Sequence, residues 1–223
     1  MTLVDETQEK IRDMILSGDY SKKGYLLSEG EICEKLSVSR ATTREAVKSL
    51  EVRGFVKRIQ GKGIKIVNNS SNVLTRSMVD MFSINDVDDM DLFEVREIIE
   101  IPCARKAAKR ATPKDISKMQ ACVETMERCS IMDGEYATAD NSFHQHLVNS
   151  ARNPVLTSII TAYNMFLMSL IKITLKDDGN SELLMHYHRN ILNAIFQHNE
   201  DEAARLMRVH LEASRANYLK YNK

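Results

Sequence analysis

Residues 26–67 read LLSEGEICEKLSVSRATTREAVKSLEVRGFVKRIQGKGIKIV. This stretch predicts a helix, a tight turn, a second helix and a small hairpin. Ser28 followed by Glu31 forms a capping box: the hydroxyl accepts from first-turn amides and the carboxylate reaches back to the Ser28 N–H. Ile32 and Leu36 then supply one apolar face. Ser37-Val38 breaks the pattern, and Ser39 caps a second helix running to about Arg53, with Gly54 suited to a left-handed helix end. Val47 and Leu50 face the first helix, which leaves Arg40, Thr43, Arg44 and Lys48 on the outer side. A short helix with an apolar back and polar and basic residues at its start is what a DNA major groove accepts.

The hairpin strengthens that reading. Residues 55–58 and 64–67 read as strands joined through Gln60-Gly61-Lys62-Gly63, whose glycines allow positive φ and close approach to a phosphate. Lys57, Arg58, Lys62 and Lys65 line this wing. Alone, such a hairpin is as easily a solvated basic edge; joined to the helix pair, it makes residues 1–69 a DNA-binding unit.

The motif Ser39-Arg40-x-x-x-Arg44-Glu45-Ala46, with Leu50, Gly54 and Gly61-Lys62-Gly63, resembles the winged helix-turn-helix of GntR-family transcription regulators. The resemblance implies operator contacts by Ser39, Arg40, Arg44 and Gly61. Gly30 stands where many members carry a DNA-contacting arginine, and Lys23-Gly24 where many carry Pro-Gly.

Charge is unevenly placed. The chain is neutral overall, but residues 1–67 hold 13 Lys and Arg against 10 Asp and Glu, and the remainder 18 against 21. A basic face on a neutral protein argues for local phosphate contacts and against indiscriminate polyanion binding. Cys33, Cys103, Cys122 and Cys129 form no CxxC pair and sit in helical patterns, which suits core packing in a reducing compartment. Asp5, Glu6 and Glu9 interrupt any signal peptide. The most apolar stretch, 159–175, contains Asn164, Ser169 and Lys172, which suits a buried helix better than a membrane span. A cytoplasmic protein is expected.

Polar residues 68–72 make the natural linker, and residues 73–223 read as an all-α bundle of about seven helices. Helix starts are expected near Val73, at Asp91 (as a cap, running through Arg110), at Thr112-Pro113, near Glu135, at Asn153-Pro154, at Ser181 and at Asn199.

Asp140 and His144 are four apart and share an inward face with Leu147, Val148 and Ala151. His188 shares a face with Ile191, Leu192 and Ile195, and His210 with Ala203, Leu206, Met207 and Ala213. His146 and His186 point away from the corresponding faces, by about 200° and 160°, and His198 falls at a helix end. Each inward histidine alone fits a satisfied core residue; buried together without a partner they are expensive. Periodicity leaves both a core cluster and a cation site open. Asp140-x-x-x-His144, Asn153-Pro154, His188-x-x-Ile191-Leu192 and Ala203-Ala204-x-x-x-Met207-x-x-His210-Leu211 resemble the FCD ligand-binding domain of FadR-type regulators. That resemblance implies a divalent metal on Asp140, His144, His188 and His210, with zinc first and nickel or manganese as alternatives.

Arg96 lies on an apolar helix side with two readings: a buried ion pair with Glu100, or a guanidinium fork for a ligand carboxylate. In FCD domains the matching arginine often faces the pocket. Asn217 is a second effector-binding candidate, with Asn164 and Lys172 behind it. The resemblance covers essentially the whole chain. It implies a dimeric regulator, a repressor and not an enzyme, that binds double-stranded operator DNA and responds to a small organic or sugar acid. Two rivals stand beside it. One is a metal-dependent hydrolase or isomerase fused to a DNA-binding head, with Glu100 as its base. The other is a metal-free regulator of fatty acyl thioester response.

Overall fold

The computed structural model describes residues 1–18, 24–60, 62–67, 73, 77–78, 80–81, 84–85, 87–130, 133–174 and 181–221, with backbone alone at 165–174, 181–185 and 221. The chain divides into two compact units, Met1–Ser77 and Met78–Lys223.

The first unit opens with a helix that the sequence reading did not anticipate, α1 (Leu3–Ser17), nucleated by a capping box between Thr2 and Asp5 and ended by Gly18 at φ 79°. It buries Ile11 and Met14. Helix α2 (Glu29–Leu36) carries the Ser28–Glu31 capping box and stops where Ser37 turns left-handed at φ 54°. Helix α3 (Arg40–Val52) starts at Ser39, whose hydroxyl accepts from Thr42 N–H at 3.1 Å. Ile11, Ile32, Ala46, Val47, Leu50, Val56 and Ile64 close one core among these elements.

Strands β1 (Val56–Ile59) and β2 (Gly63–Ile66) pair antiparallel with Val56 opposite Ile66. The strands are one residue out from the expected 55–58 and 64–67. Phe55 N–H is spent on Leu50 C=O at 3.0 Å, closing α3, so the regular ladder begins one residue later. On its other edge β2 takes a bridge from Tyr25: Leu26 N–H donates to Ile64 C=O, and Ile66 N–H to Gly24 C=O, both at 2.8 Å.

The second unit contains α4 (Asp89–Arg110), α5 (Pro113–Arg128), α6 (Gly134–Ser150), α7 (Pro154–Thr174), α8 (Ser181–Phe196) and α9 (Glu200–Tyr221). The cap of α4 is Asp88, not Asp91: the Asp88 carboxylate accepts from Met90 N–H at 2.9 Å, which leaves Asp91 inside the first turn. Thr112 and Asp115 form a capping box around Pro113. Asn153 and Asn199 cap α7 and α9 through Val155 and Glu202 N–H, each at 3.1 Å. Of the helix expected around 73–82, residues 73, 77, 78, 80 and 81 are described and helical; the other half lies outside the described residues. Helix α4 packs along α9 and against α6 and α8. Phe93, Met119, Met126, Phe143, Leu147, Tyr163, Ile191 and Met207 fill the space between them. Each large apolar side chain so buried contributes about 1.5–3 kcal/mol. The Tyr163 hydroxyl donates to Leu92 C=O and the Tyr218 hydroxyl to the Asp89 carboxylate, which fastens the first turn of α4 to α7 and α9.

Candidate metal centre and candidate nucleic-acid interface

On the first unit, Ser39, Arg40, Arg44 and Lys48 are exposed along α3 and Lys62 is exposed on the wing; Gly61 lies outside the described residues. Thr43 is not on the outer side. It is fully buried, and its hydroxyl lies 3.2 Å from Cys33 Sγ on α2. The spacing 43, 46, 47, 50 places it on the seam with Ala46, Val47 and Leu50, so it fastens α3 to α2 and has no groove-facing surface. Arg58 is also partly committed: its guanidinium donates to Arg44 C=O at 3.2 Å and its backbone N–H to Glu51 at 2.9 Å. The Arg44–Glu29 contact, 3.6 Å between an exposed and a half-buried group, is worth little and leaves the arginine available.

In the second unit, α6 supplies Asp140 and His144, α8 supplies His188 and α9 supplies His210. One ligand atom from each lies within 4.8 Å of all the others. His144 Nε2 stands 3.3 Å from His188 Nε2 and 3.2 Å from His210 Nε2, and His188 Nε2 is 3.0 Å from Asp140 Oδ1. Two donors about 2.1 Å from one metal ion, at tetrahedral or octahedral angles, stand about 3.0–3.4 Å apart. The three printed spacings match that range, so the donor set suits a cation once Arg96 Nη2 withdraws from His144 Nε2.

The chemistry of the surroundings agrees. None of these four residues exceeds 6% exposure, and Arg96 and Glu100 are 3% and 0% exposed. Glu100 accepts from Arg96 Nε at 2.8 Å and contacts His144 Nδ1. Burial alone would raise the Glu100 carboxyl, but Arg96 and His144 outweigh it and hold it at about 2. An ionised Glu100 only accepts, so His144 Nδ1 donates, and in the neutral ring the lone pair sits on Nε2. A carboxylate that fixes the tautomer of a ligating histidine is a common support for bound metal. Burial would also raise Asp140, yet the hydrogen bond from His188, with His144 and Arg96 nearby, holds that carboxyl at about 2. Burial, with His188, His144 and Arg96 nearby, pushes His210 well below the usual imidazole range, so it is neutral as a metal ligand must be. His210 Nδ1 is buried and has no partner among the described residues.

Arg96 makes the Glu100 ion pair, and its Nη2 also lies 3.2 Å from His144 Nε2. Asn217 is buried on α9. Asn164 is turned to another task, donating to Gln145 at 2.6 Å to link α7 to α6, and the Lys172 side chain lies outside the described residues. His146 is half-buried and His186 exposed, while His198 makes a 2.7 Å hydrogen bond with Ala108 C=O at the end of α4. Sequence reasoning missed Glu100 as the partner of His144; only the packing of α4 on α6 brings residues 44 apart together. It also missed Phe143, whose ring meets His144 and His188 edge-on.

The FCD domain family matches residues 91–213, and the family of bacterial regulatory proteins named gntR matches residues 3–66. The chain belongs to the GntR family, with an FCD domain. It is 29% identical to the Uxu operon transcriptional regulator of Escherichia coli K12, over 97% of this chain and 87% of that one. It is 26% identical to the galactonate operon transcriptional repressor of the same organism, over 92% of each chain. A GntR protein of known structure from Streptococcus agalactiae is 25% identical and superposes with a TM-score of 0.72, over 96% of this chain and 99% of that one. These relatives are transcription regulators, not enzymes, and this GntR protein is a transcription regulator of the same type. Among the described residues no helix is long and apolar enough to cross a membrane.

Proposed function

We propose that this GntR protein is a dimeric repressor whose FCD unit holds a divalent metal on Asp140, His144, His188 and His210 and binds a small carboxylate effector at that metal and Arg96. The observation that carries the reading is the convergence of four buried donor atoms within 4.8 Å, with the Arg96 guanidinium 3.2 Å from one of them. Asp140 and Glu100 carry two negative charges against the one positive charge of Arg96. A dication turns that balance of minus one into plus one, and a single carboxylate restores neutrality in a site that water cannot screen. Metal binding supplies open positions for one or two effector oxygens. Arg96 adds paired hydrogen bonds that an ammonium cannot match. Asn217, on the same helix as His210, is the further polar group for the effector.

Galactonate, in the name of one relative, is a sugar acid of this class: one carboxylate beside hydroxyls able to chelate. On the DNA side, Ser39, Arg40, Arg44, Lys48, Lys62 and Gly61 form the contact set, and two copies read a palindromic site. Domain limits of 1–69 and 73–223 follow from this division of labour. Nothing in the site favours the acyl thioester alternative, which has no use for four converging metal donors.

The test is thermal denaturation of purified protein against a panel of small carboxylates and sugar acids, with zinc present and after chelation. The reading expects at least one acid to raise the melting temperature only when zinc is present. Stabilisation that is identical after chelation would overturn it.

A further inference from the structure

Arg96 Nη2 approaches His144 on the same nitrogen that faces His188 and His210, at 3.2 Å. His144 Nδ1–H donates to Glu100, so the ring in this tautomer offers one lone pair, on Nε2. A guanidinium N–H and a metal ion cannot both use it. Charge sharpens the conflict: a dication about 2.1 Å from Nε2 would lie within roughly 5 Å of Nη2, among groups so deeply buried that screening is weak. Glu100 offsets part of this through Arg96 Nε at 2.8 Å.

We propose that Arg96 competes with the metal ion for His144 and thereby makes metal binding and carboxylate binding mutually reinforcing. The inference rests on the metal reading above. Metal binding releases Nη2 from His144 while Nε stays on Glu100, and the released edge of the guanidinium is the one that can grip a carboxylate. A carboxylate placed between Arg96 and the metal removes the repulsion from both sides. By linkage, whatever factor the metal adds to carboxylate affinity, the carboxylate adds to metal affinity. The arginine therefore holds metal affinity down until effector arrives, and the protein responds to the pair better than to either alone.

A supporting residue would behave in the opposite way. If Arg96 served only to hold Glu100, and Glu100 to hold His144, losing either would weaken metal binding. Competition separates the two members of this ion pair. Arg96→Gln should tighten zinc and Glu100→Gln should loosen it.

The experiment is zinc affinity by competition with a chromogenic chelator, on the full chain, with and without millimolar acetate as the carboxylate probe at matched ionic strength. Arg96→Gln is expected to tighten zinc by about tenfold or more, the change that one charge-assisted hydrogen bond represents. Glu100→Gln should weaken it by a similar factor. Acetate should tighten zinc in the wild type and lose that effect in Arg96→Gln. If Arg96→Gln does not fold, Arg96→Lys serves, because one ammonium cannot hold Glu100 and reach His144 at once; zinc should again tighten. Zinc affinity that is unchanged or weaker in the folded arginine variant overturns the competition while leaving the metal centre standing. Absence of zinc binding in the wild type overturns the metal reading and this inference together.

Discussion

His188→Ala is the perturbation that probes the metal centre most sharply. The imidazole sits with Nε2 3.0 Å from Asp140 Oδ1 and 3.3 Å from His144 Nε2, on a side chain that is 1% exposed. Two losses follow. A four-donor zinc site has a binding free energy of about 10–16 kcal/mol, so one donor accounts for about 2.5–4 kcal/mol, or roughly 10²–10³ in affinity. Asp140 also loses the partner that does most to keep its carboxyl ionised. A buried carboxylate stripped of its partner destabilises by about 3–5 kcal/mol, and the lower end of that range corresponds to roughly 6–12 °C in a unit of this size. His186→Ala is the control: two residues earlier on the same helix, exposed, and outside the donor cluster. Chelator competition reads the affinity and apo-protein melting reads the stability. Zinc bound normally by His188→Ala but lost by His186→Ala would refute the facing argument.

Further expectations follow from the rest of the molecule. Arg40→Ala and Arg44→Ala should each weaken specific DNA binding by about 1–3 kcal/mol, while Lys62→Ala should weaken all sequences alike and flatten the salt dependence; fluorescence anisotropy on specific and random duplexes tests this, and wild-type binding by both arginine variants would exclude the docking. Tyr136 is fully buried with a hydroxyl that has no partner among the described residues, so Tyr136→Phe should leave stability equal or raise it by about 1 kcal/mol in urea denaturation; a clear loss would show that the hydroxyl is used. Burial acts to raise the Asp115 carboxyl, but hydrogen bonds from Thr112 and the nearby Arg152 outweigh it and keep it below the ordinary carboxylate value of 3.8. A carboxyl lowered on folding stabilises above its unfolded value and loses that contribution as pH falls through the folded one. Asp115→Asn should therefore cost about 0.5–1 kcal/mol at neutral pH, with the difference from wild type closing in acid. A difference that does not change with pH would contradict this.

Residues 26–67 were legible because their signals are local: two helix caps, a 3.6-residue apolar period and a glycine-rich turn all lie within a few positions of what they control. The metal donors were legible for a related reason. Asp140 and His144 are one turn apart, and His188 and His210 each sit among apolar neighbours at helical spacing, so the inward faces could be read without knowing how the helices pack. Thr43 shows the limit of that method. Its polar type suggested an outer position, yet its spacing from Ala46, Val47 and Leu50 places it on the buried seam, and Cys33 accommodates its hydroxyl. Asp88 and Asp91 stand in a run with several aspartates, any of which could cap α4, and only the backbone geometry distinguishes them. Helix α1 was legible by the same signals, a Thr2–Asp5 box and an apolar face at Val4, Ile11, Met14 and Ile15, and sequence reasoning missed it. The Arg96–Glu100 pair was readable because the two are one turn apart, but the contact of Glu100 with His144 was beyond reach from sequence, since it depends on how α4 lies across α6.

Zinc K-edge X-ray absorption on the purified protein, with metal content measured on the same sample, tests the central claim most directly. The account predicts one zinc per chain, bound by nitrogen and oxygen at about 2.0–2.2 Å with the multiple-scattering signature of three imidazoles. No bound zinc, or a first shell containing sulfur at about 2.3 Å, would contradict it.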